Sequence, residues 1–280
     1  MREIAAKKIT EAVKKLCLEV SFNLPEDVER ALNRALKTEE SPRAREILRQ
    51  ILLNAEIARK EKLPLCQDTG SAVVFVEVGQ EVRLVEGTLV EAINEGVSRG
   101  YHEGYLRKSM VNDPLRRQNT EDNTPALIHC EIVPGEKIRI TLLAKGGGAE
   151  NRSALKMFNP TSSKEEISHF IIETAKAAGP NACPPFIVGV GIGGTFDYAP
   201  ILAKKALLRE IGKHHSEKDT ALWEKELLEK INSLGIGPMG VGGKTTALAV
   251  NIEKYPCHIS SLPVAVNIEC HAHRVKSTII

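Results

Sequence analysis

Three cysteines constrain this 280-residue chain more than any other feature. Cys66 sits in Pro64-Leu65-Cys66-Gln67-Asp68-Thr69-Gly70, Cys183 in Asn181-Ala182-Cys183-Pro184-Pro185, and Cys270 in Asn267-Ile268-Glu269-Cys270-His271. They are far apart, so no local loop can hold all three. A site that used them together would oblige the fold to gather three distant segments. Thiolates from three segments can hold an iron–sulfur cluster and leave one iron open to substrate. A cluster with four thiolates is usually an electron carrier, whereas an open iron is a Lewis acid.

The other cysteines sit in different frames. Cys17 lies in an apolar helical stripe and Cys130 in an apolar strand, and both read as core. Cys257, beside His258, is ambiguous. Six cysteines without a recognisable signal peptide argue for reduced thiols and a cytoplasmic location. No C-x₂₋₄-C pair suggests structural zinc. A net charge of +2 gives no pull toward nucleic acid or an anionic membrane, and no apolar run approaches the roughly 18 residues of a membrane span.

The periodicity predicts an α+β fold: an N-terminal helical region packed on a mixed β-sheet with flanking helices, and a site built from loops. Residues 1 to about 60 read as three helices, the first starting at Met1–Thr10, the second covering Glu26–Leu36 and the third about Arg43–Lys60. Residues 61–280 read as the α+β cluster-binding region, and 1–280 as one continuous domain. Expected strands are Ser71–Val78, Leu127–Val133, Lys137–Ala144, Phe186–Gly191, Thr245–Ile252 and Val264–Glu269. The second and third of these read as a pair joined by Pro134-Gly135-Glu136. Helices are expected over Leu84–Ser98, Ser163–Ala178, Asp197–Ile211 and Ser216–Leu234. The polar stretch 99–126 reads as a long, functional or mobile loop.

Two glycine motifs invite nucleotide readings and fail them. Gly189-Val190-Gly191-Ile192-Gly193-Gly194 fits G-x-G-x-x-G, with Glu210 about 20 residues on, yet another helix follows where a second parallel strand is needed. Close backbone packing, or a helix N-terminus aimed at an anion, is the simpler account. Pro238-Met239-Gly240-Val241-Gly242-Gly243-Lys244-Thr245 resembles a P-loop, but Pro238 replaces the first glycine and the loop follows a helix and precedes a strand. A structural loop or a backbone nest fits better.

The polar neighbours of the cysteines supply candidate chemistry. Gln67 and Asp68 put an amide and a carboxylate beside Cys66, and a turn at Gly70 could aim all three at one site; a helix-terminating turn with a packed cysteine is the plain alternative. Pro184-Pro185 gives Cys183 a stiff mount, or simply a rigid turn. His271, His273 and Arg274 follow Cys270, otherwise as a solvated basic tail. Arg107, Lys108 and Lys145 could clamp a carboxylate, Arg bidentately, or be solvated charge. His258 could hydrogen-bond a substrate or lie idle on the surface.

Taken jointly, Leu65-Cys66-Gln67-Asp68-Thr69-Gly70, Arg107-Lys108-Ser109, Asp122-Asn123-Thr124-Pro125, Lys145-Gly146-Gly147-Gly148, Cys183-Pro184-Pro185, Gly191-Ile192-Gly193-Gly194-Thr195, Gly235-Ile236-Gly237-Pro238 and the His258-to-Cys270 spacing resemble the class I, iron–sulfur-dependent fumarate hydratase family, which includes L-tartrate dehydratase. The likeness covers nearly the whole chain and is to a separate α subunit, the N-terminal half of single-chain relatives. It implies a [4Fe–4S] cluster on Cys66, Cys183 and Cys270 with the fourth iron open. It implies that Gln67, Asp68, Arg107, Gly148 and His258 contact substrate. It implies reversible hydration of fumarate to L-malate, or the same chemistry on tartrate, and a partner β subunit, as in an α2β2 assembly. It recasts both glycine loops as walls of the cluster site or of the subunit contact. A non-catalytic cluster protein, carrier or sensor, is the reading from another class; Cys257 would have to cap its fourth iron.

Overall fold

A computed structural model describes all 280 residues, and the fold is α+β. The chain divides into two compact units: Met1–Pro25, Asn54–Gly147 and Arg274–Ile280 form unit one, and Glu26–Leu53 with Gly148–His273 form unit two. No helix is long and apolar enough to cross a membrane.

Unit one is built on a four-stranded sheet. Its central members are β2 (Ser71–Gly79) and β5 (Ile138–Lys145), with β4 (Leu127–Val133) and β10 (Val275–Ile279) at the edges, in the order β10-β5-β2-β4. Helix α1 (Ala6–Phe22) lays Ile9, Val13, Leu16, Cys17 and Val20 on the sheet beside α4 (Leu89–Glu103). Those positions recur at three and four residues, the period of one helical face. Strand β2 is buried on both faces, which is why Ala72–Val76 reads as an unbroken apolar run rather than an alternation.

The structure corrects four expectations here. The chain does not begin as a helix: Arg2–Ala5 is strand β1, paired in parallel with β3 (Val82–Val85). Consequently the next helix starts at Leu89, where the Thr88 hydroxyl accepts from the Glu91 N–H at 3.3 Å. Strands β4 and β5 are not neighbours; β2 lies between them, parallel to β4 and antiparallel to β5. The Pro134–Lys137 turn instead wraps the end of β2, with Gly79, Gln80 and Glu81 donating to Lys137, Val133 and Gly135. Finally, Cys130 is exposed rather than core, because β4 is an edge strand.

Unit two carries a second mixed sheet, ordered β6 (Ala154–Phe158), β9 (Leu262–Glu269), β7 (Phe186–Gly193), β8 (Ala247–Tyr255). Alternation along β7 divides its faces. Phe186, Val188 and Val190 join the core formed with α6 (Lys164–Ala178) and α8 (Lys218–Asn232). Gly189 and Gly191 face α7 (Tyr198–Leu207). A Cβ on Gly191 would stand 2.1 Å from the Ala199 carbonyl oxygen, and one on Gly189 2.2 Å from that of Ala203. The G-x-G spacing thus seats a helix rather than a dinucleotide. A parallel strand does follow, but β8 comes only after two helices. Gly191→Ala is expected to lower unfolding stability by about 1–3 kcal/mol through overpacking; an unchanged urea midpoint would contradict this packing.

Candidate functional site

In unit one, four of the motifs singled out in the sequence meet around the Cys66–Gly70 turn. The turn is anchored at Leu65, whose N–H donates to Ser21 O at 2.9 Å and whose carbonyl accepts from Asn54 Nδ2 at 2.9 Å. Cys66 and Asp68 are half-buried and Gln67 is exposed. The Asp68 carboxylate is gripped on both oxygens: Oδ1 accepts from Gly70 N–H at 3.0 Å and Oδ2 from Gly147 N–H at 2.8 Å. Gly70 adopts φ +75°, and a Cβ there would lie 2.7 Å from the Lys145 backbone, so the turn and the glycine run are packed backbone to backbone.

Below the turn, buried polar groups tie in the loop that carries Arg107. Thr69 Oγ1 donates to Arg107 O at 2.6 Å. Tyr101 OH points between Thr69 O and Gly70 O, each at 2.9 Å, and burial pushes its phenol pKa up. Asn123 Nδ2 donates to Gly70 O at 3.1 Å while its Oδ1 accepts from Ser109 N–H at 2.8 Å. Arg107 itself is exposed and Lys108 half-buried. Asp122, whose burial opposes ionisation, is nonetheless held below the usual carboxylate range by the Thr124 N–H and hydroxyl. The long polar loop is therefore fastened at its root to the Cys66 turn.

Unit two brings Cys183 and Cys270 together. Strands β7 and β9 are antiparallel with Ile187 opposite Glu269, so the residues just outside that register share one end of the sheet. The Cys183 carbonyl accepts from His271 N–H at 3.3 Å and lies 2.9 Å from His271 Nδ1, which must be the protonated ring nitrogen there. Cys183 takes a left-handed conformation, φ 52° and ψ 64°. Behind it packs the P-loop-like segment: Met239 N–H donates to Pro184 O at 2.7 Å, and a Cβ on Gly240 would stand 2.4 Å from Pro180. Lys244 is turned to Glu39 and Glu40, its N–H donating to Glu39 Oε2 at 2.8 Å and its ammonium to Glu40. This loop buttresses a cysteine and does not cradle a phosphate. Gly148, exposed, begins this unit's share of the glycine run, facing the Asn181 carbonyl.

His258 is not brought to that end. It precedes β9, whereas Cys270 follows it, and the eight residues of β9 put about 25 Å between the strand's ends. His258 lines a separate open pocket with Gly194, Thr195, Tyr198, Tyr255 and Cys257.

Burial sets three of the six cysteines apart. Cys66, Cys183 and Cys270 are half-buried, Cys17 is buried, and Cys130 and Cys257 are exposed. No disulfide links any of them. Burial pushes the Cys17 thiol up to about 12, which makes it an inert core group. Sequence reasoning missed Tyr101, and the plain alternative of a solvated basic tail fails at Arg274, which is only 1% exposed and whose Nη1 donates to the Asp68 carbonyl. The strand-like residues Val275–Ile279 were the available sign that the tail folds inward.

Comparison with known proteins agrees with the motifs. Residues 10–279 match the family model described as fumarate hydratase (fumerase). A Methanocaldococcus jannaschii protein provisionally named L(+)-tartrate dehydratase subunit alpha is 46% identical over 95% of both chains. L(+)-tartrate dehydratase subunit alpha of Escherichia coli strain UTI89 is 33% identical over 98% of this chain and 91% of its own, and that of strain K12 is 32% identical over the same shares. On these matches, with the motifs they span, the chain belongs to the fumarate hydratase (fumerase) family.

Proposed function

We propose that this chain is the α subunit of a cytoplasmic iron–sulfur hydro-lyase that, with a β subunit, reversibly hydrates fumarate to L-malate. Family membership supports the reaction class, and the α-subunit names of the relatives support the partner. The single observation that carries the site is the contact of the Cys183 carbonyl with His271, the neighbour of Cys270, at one end of the unit-two sheet.

The burial and chemistry of the three cysteines support a [4Fe–4S] cluster: they are half-buried thiols, neither sealed in the core nor bare on the surface. Cys66, Cys183 and Cys270 would hold it. When bound, the cluster supplies a Lewis-acidic iron beside a substrate carboxylate and hydroxyl. The rest falls to side chains and backbone of this chain. Arg107, on its fastened loop, binds the far carboxylate, where a guanidinium fork matches two oxygens. Gln67 offers an amide to orient the substrate, and Gly148 lets it approach the backbone. Asp68 exchanges the proton: two backbone N–H groups fix its carboxylate plane and leave other lone pairs on each oxygen for substrate. The added negative charge of the aci-carboxylate-like transition state is what these donors must stabilise. We leave His258 outside this set because of its place at the other end of β9.

A second reading, dehydration of L-tartrate to oxaloacetate, is favoured by the names of the relatives. Turnover of fumarate, L-malate and L-tartrate by the α chain reconstituted anaerobically with its β subunit decides between them. Preference for tartrate would select the second reading, and no turnover of any would overturn both. Cys257→Ser is expected to leave iron content and rate unchanged, since Cys257 is exposed, at the far end of β9, with Sγ 3.2 Å from Ser261 O. Loss of iron in that variant would favour a four-thiolate carrier.

A further inference from the structure

We propose that Arg274 is a positioning residue that holds Asp68 in its working orientation, a role that rests on the hydro-lyase reading above. Arg274 is 1% exposed and among the largest fully buried side chains of the molecule. Its Nη1 donates to the Asp68 backbone carbonyl, while its Nε is buried without a hydrogen-bond partner. No carboxylate pairs with it.

A buried cation with no direct ion pair is a poor stabiliser; an apolar side chain of similar volume is often neutral or better. Stability alone therefore does not account for arginine here, and geometry supplies another reason. A Cβ placed on Gly146 would lie 3.2 Å from Arg274 Nη2 and 3.3 Å from Asp68 Oδ2, so the guanidinium and the carboxylate flank the bare Gly146 backbone. The Arg274 carbonyl accepts from Ala144 N–H at 2.9 Å, which pins its own backbone to β5, the strand leading into Gly146 and Gly147. Arg274 thus joins the peptide of Asp68 to the strand whose next segment supplies the Gly147 N–H for Oδ2. Without that link, the Asp68 peptide can rotate and the carboxylate loses its register with Gly147. Lysine could still reach the carbonyl with one donor, whereas methionine could not.

The test uses the full-length chain bearing Arg274→Met or Arg274→Lys. Amide hydrogen exchange at Gly70 and Gly147 reads the grip on Asp68 directly and needs neither cluster nor turnover. Exchange at Gly147 should speed at least about 10-fold in Arg274→Met and less in Arg274→Lys, while the β7–β9 amides stay protected. In the anaerobic complex with the β subunit, kcat should fall on the order of 10²-fold for methionine, with partial rescue by lysine and little change in KM or iron content. Unchanged exchange at Gly70 and Gly147 would overturn the proposal. So would a loss of rate that merely follows loss of fold or of iron in both variants, which would make Arg274 a structural residue. If the wild-type complex turned over no dicarboxylate, the functional reading would fall, while the exchange comparison would still judge Arg274.

Discussion

Asp68→Asn is expected to lower kcat by about 10²–10⁴-fold, the usual range for removing a positioned proton-transfer group, while iron and sulfide per chain stay at the wild-type level. The exchange removes the titrating group and leaves the turn nearly isosteric. It also has a calculable side effect. The two oxygens of Asp68 each accept a backbone N–H, from Gly70 and from Gly147. An asparagine has only one oxygen, so either orientation sets an N–H₂ against one of those donors. Gly70 and Gly147 amide exchange separates the effects. If the loss of rate is the proton, it remains in full when only one of the two amides is loosened. A variant within a few fold of the wild-type rate would remove Asp68 from the proton-transfer role.

Cys183→Ser and Cys270→Ser are expected to abolish turnover and to leave the chain without a stable cluster. A serine hydroxyl is no substitute for a thiolate toward iron, and three ligands leave none to spare. The fold should survive in both variants. Cys183 is half-buried, and its backbone contacts, the carbonyl to His271 and the N–H to Pro180 O, do not involve sulfur. Cys17→Ser is expected to do the opposite. It places a hydroxyl at a fully buried position of the unit-one core, so it lowers the melting temperature but not the iron bound per folded chain. Iron analysis beside thermal melts of the three variants distinguishes the two classes; wild-type iron in Cys183→Ser would contradict the assignment.

The helices were legible because their apolar positions recur with a helical period, as in the Ile9–Val20 stripe of α1. Six of the ten strands were legible too, but pairing was not. Pro134-Gly135-Glu136 looks like a hairpin turn, and nothing local reveals that β2 slots between β4 and β5 and binds that turn across its end. Arg2–Ala5 was hidden for the same reason: its strand state exists only through its partner Val82–Val85. At the site, the residue types and their motifs could be read off the chain, while their grouping depended on tertiary hydrogen bonds. The Cys66–Gly70 turn, the Arg107 loop and Asn123 meet through bonds that span 14 to 53 residues. Arg274 could be read as part of a solvated tail because its burial follows from β10 pairing with β5, a contact between residues more than a hundred apart. His258 and Cys270 flank β9, so the extended strand between them turns nearness in sequence into distance in space.

The central claim is that this chain carries a substrate-accessible cluster on Cys66, Cys183 and Cys270. Iron and acid-labile sulfide per chain after anaerobic purification with the β subunit, followed by EPR with and without dicarboxylate, tests it most directly. About four irons and four sulfides, with a spectrum perturbed by fumarate, L-malate or L-tartrate, is the predicted result. A chain that holds no cluster after anaerobic reconstitution, or a cluster whose spectrum ignores all three dicarboxylates, would contradict it.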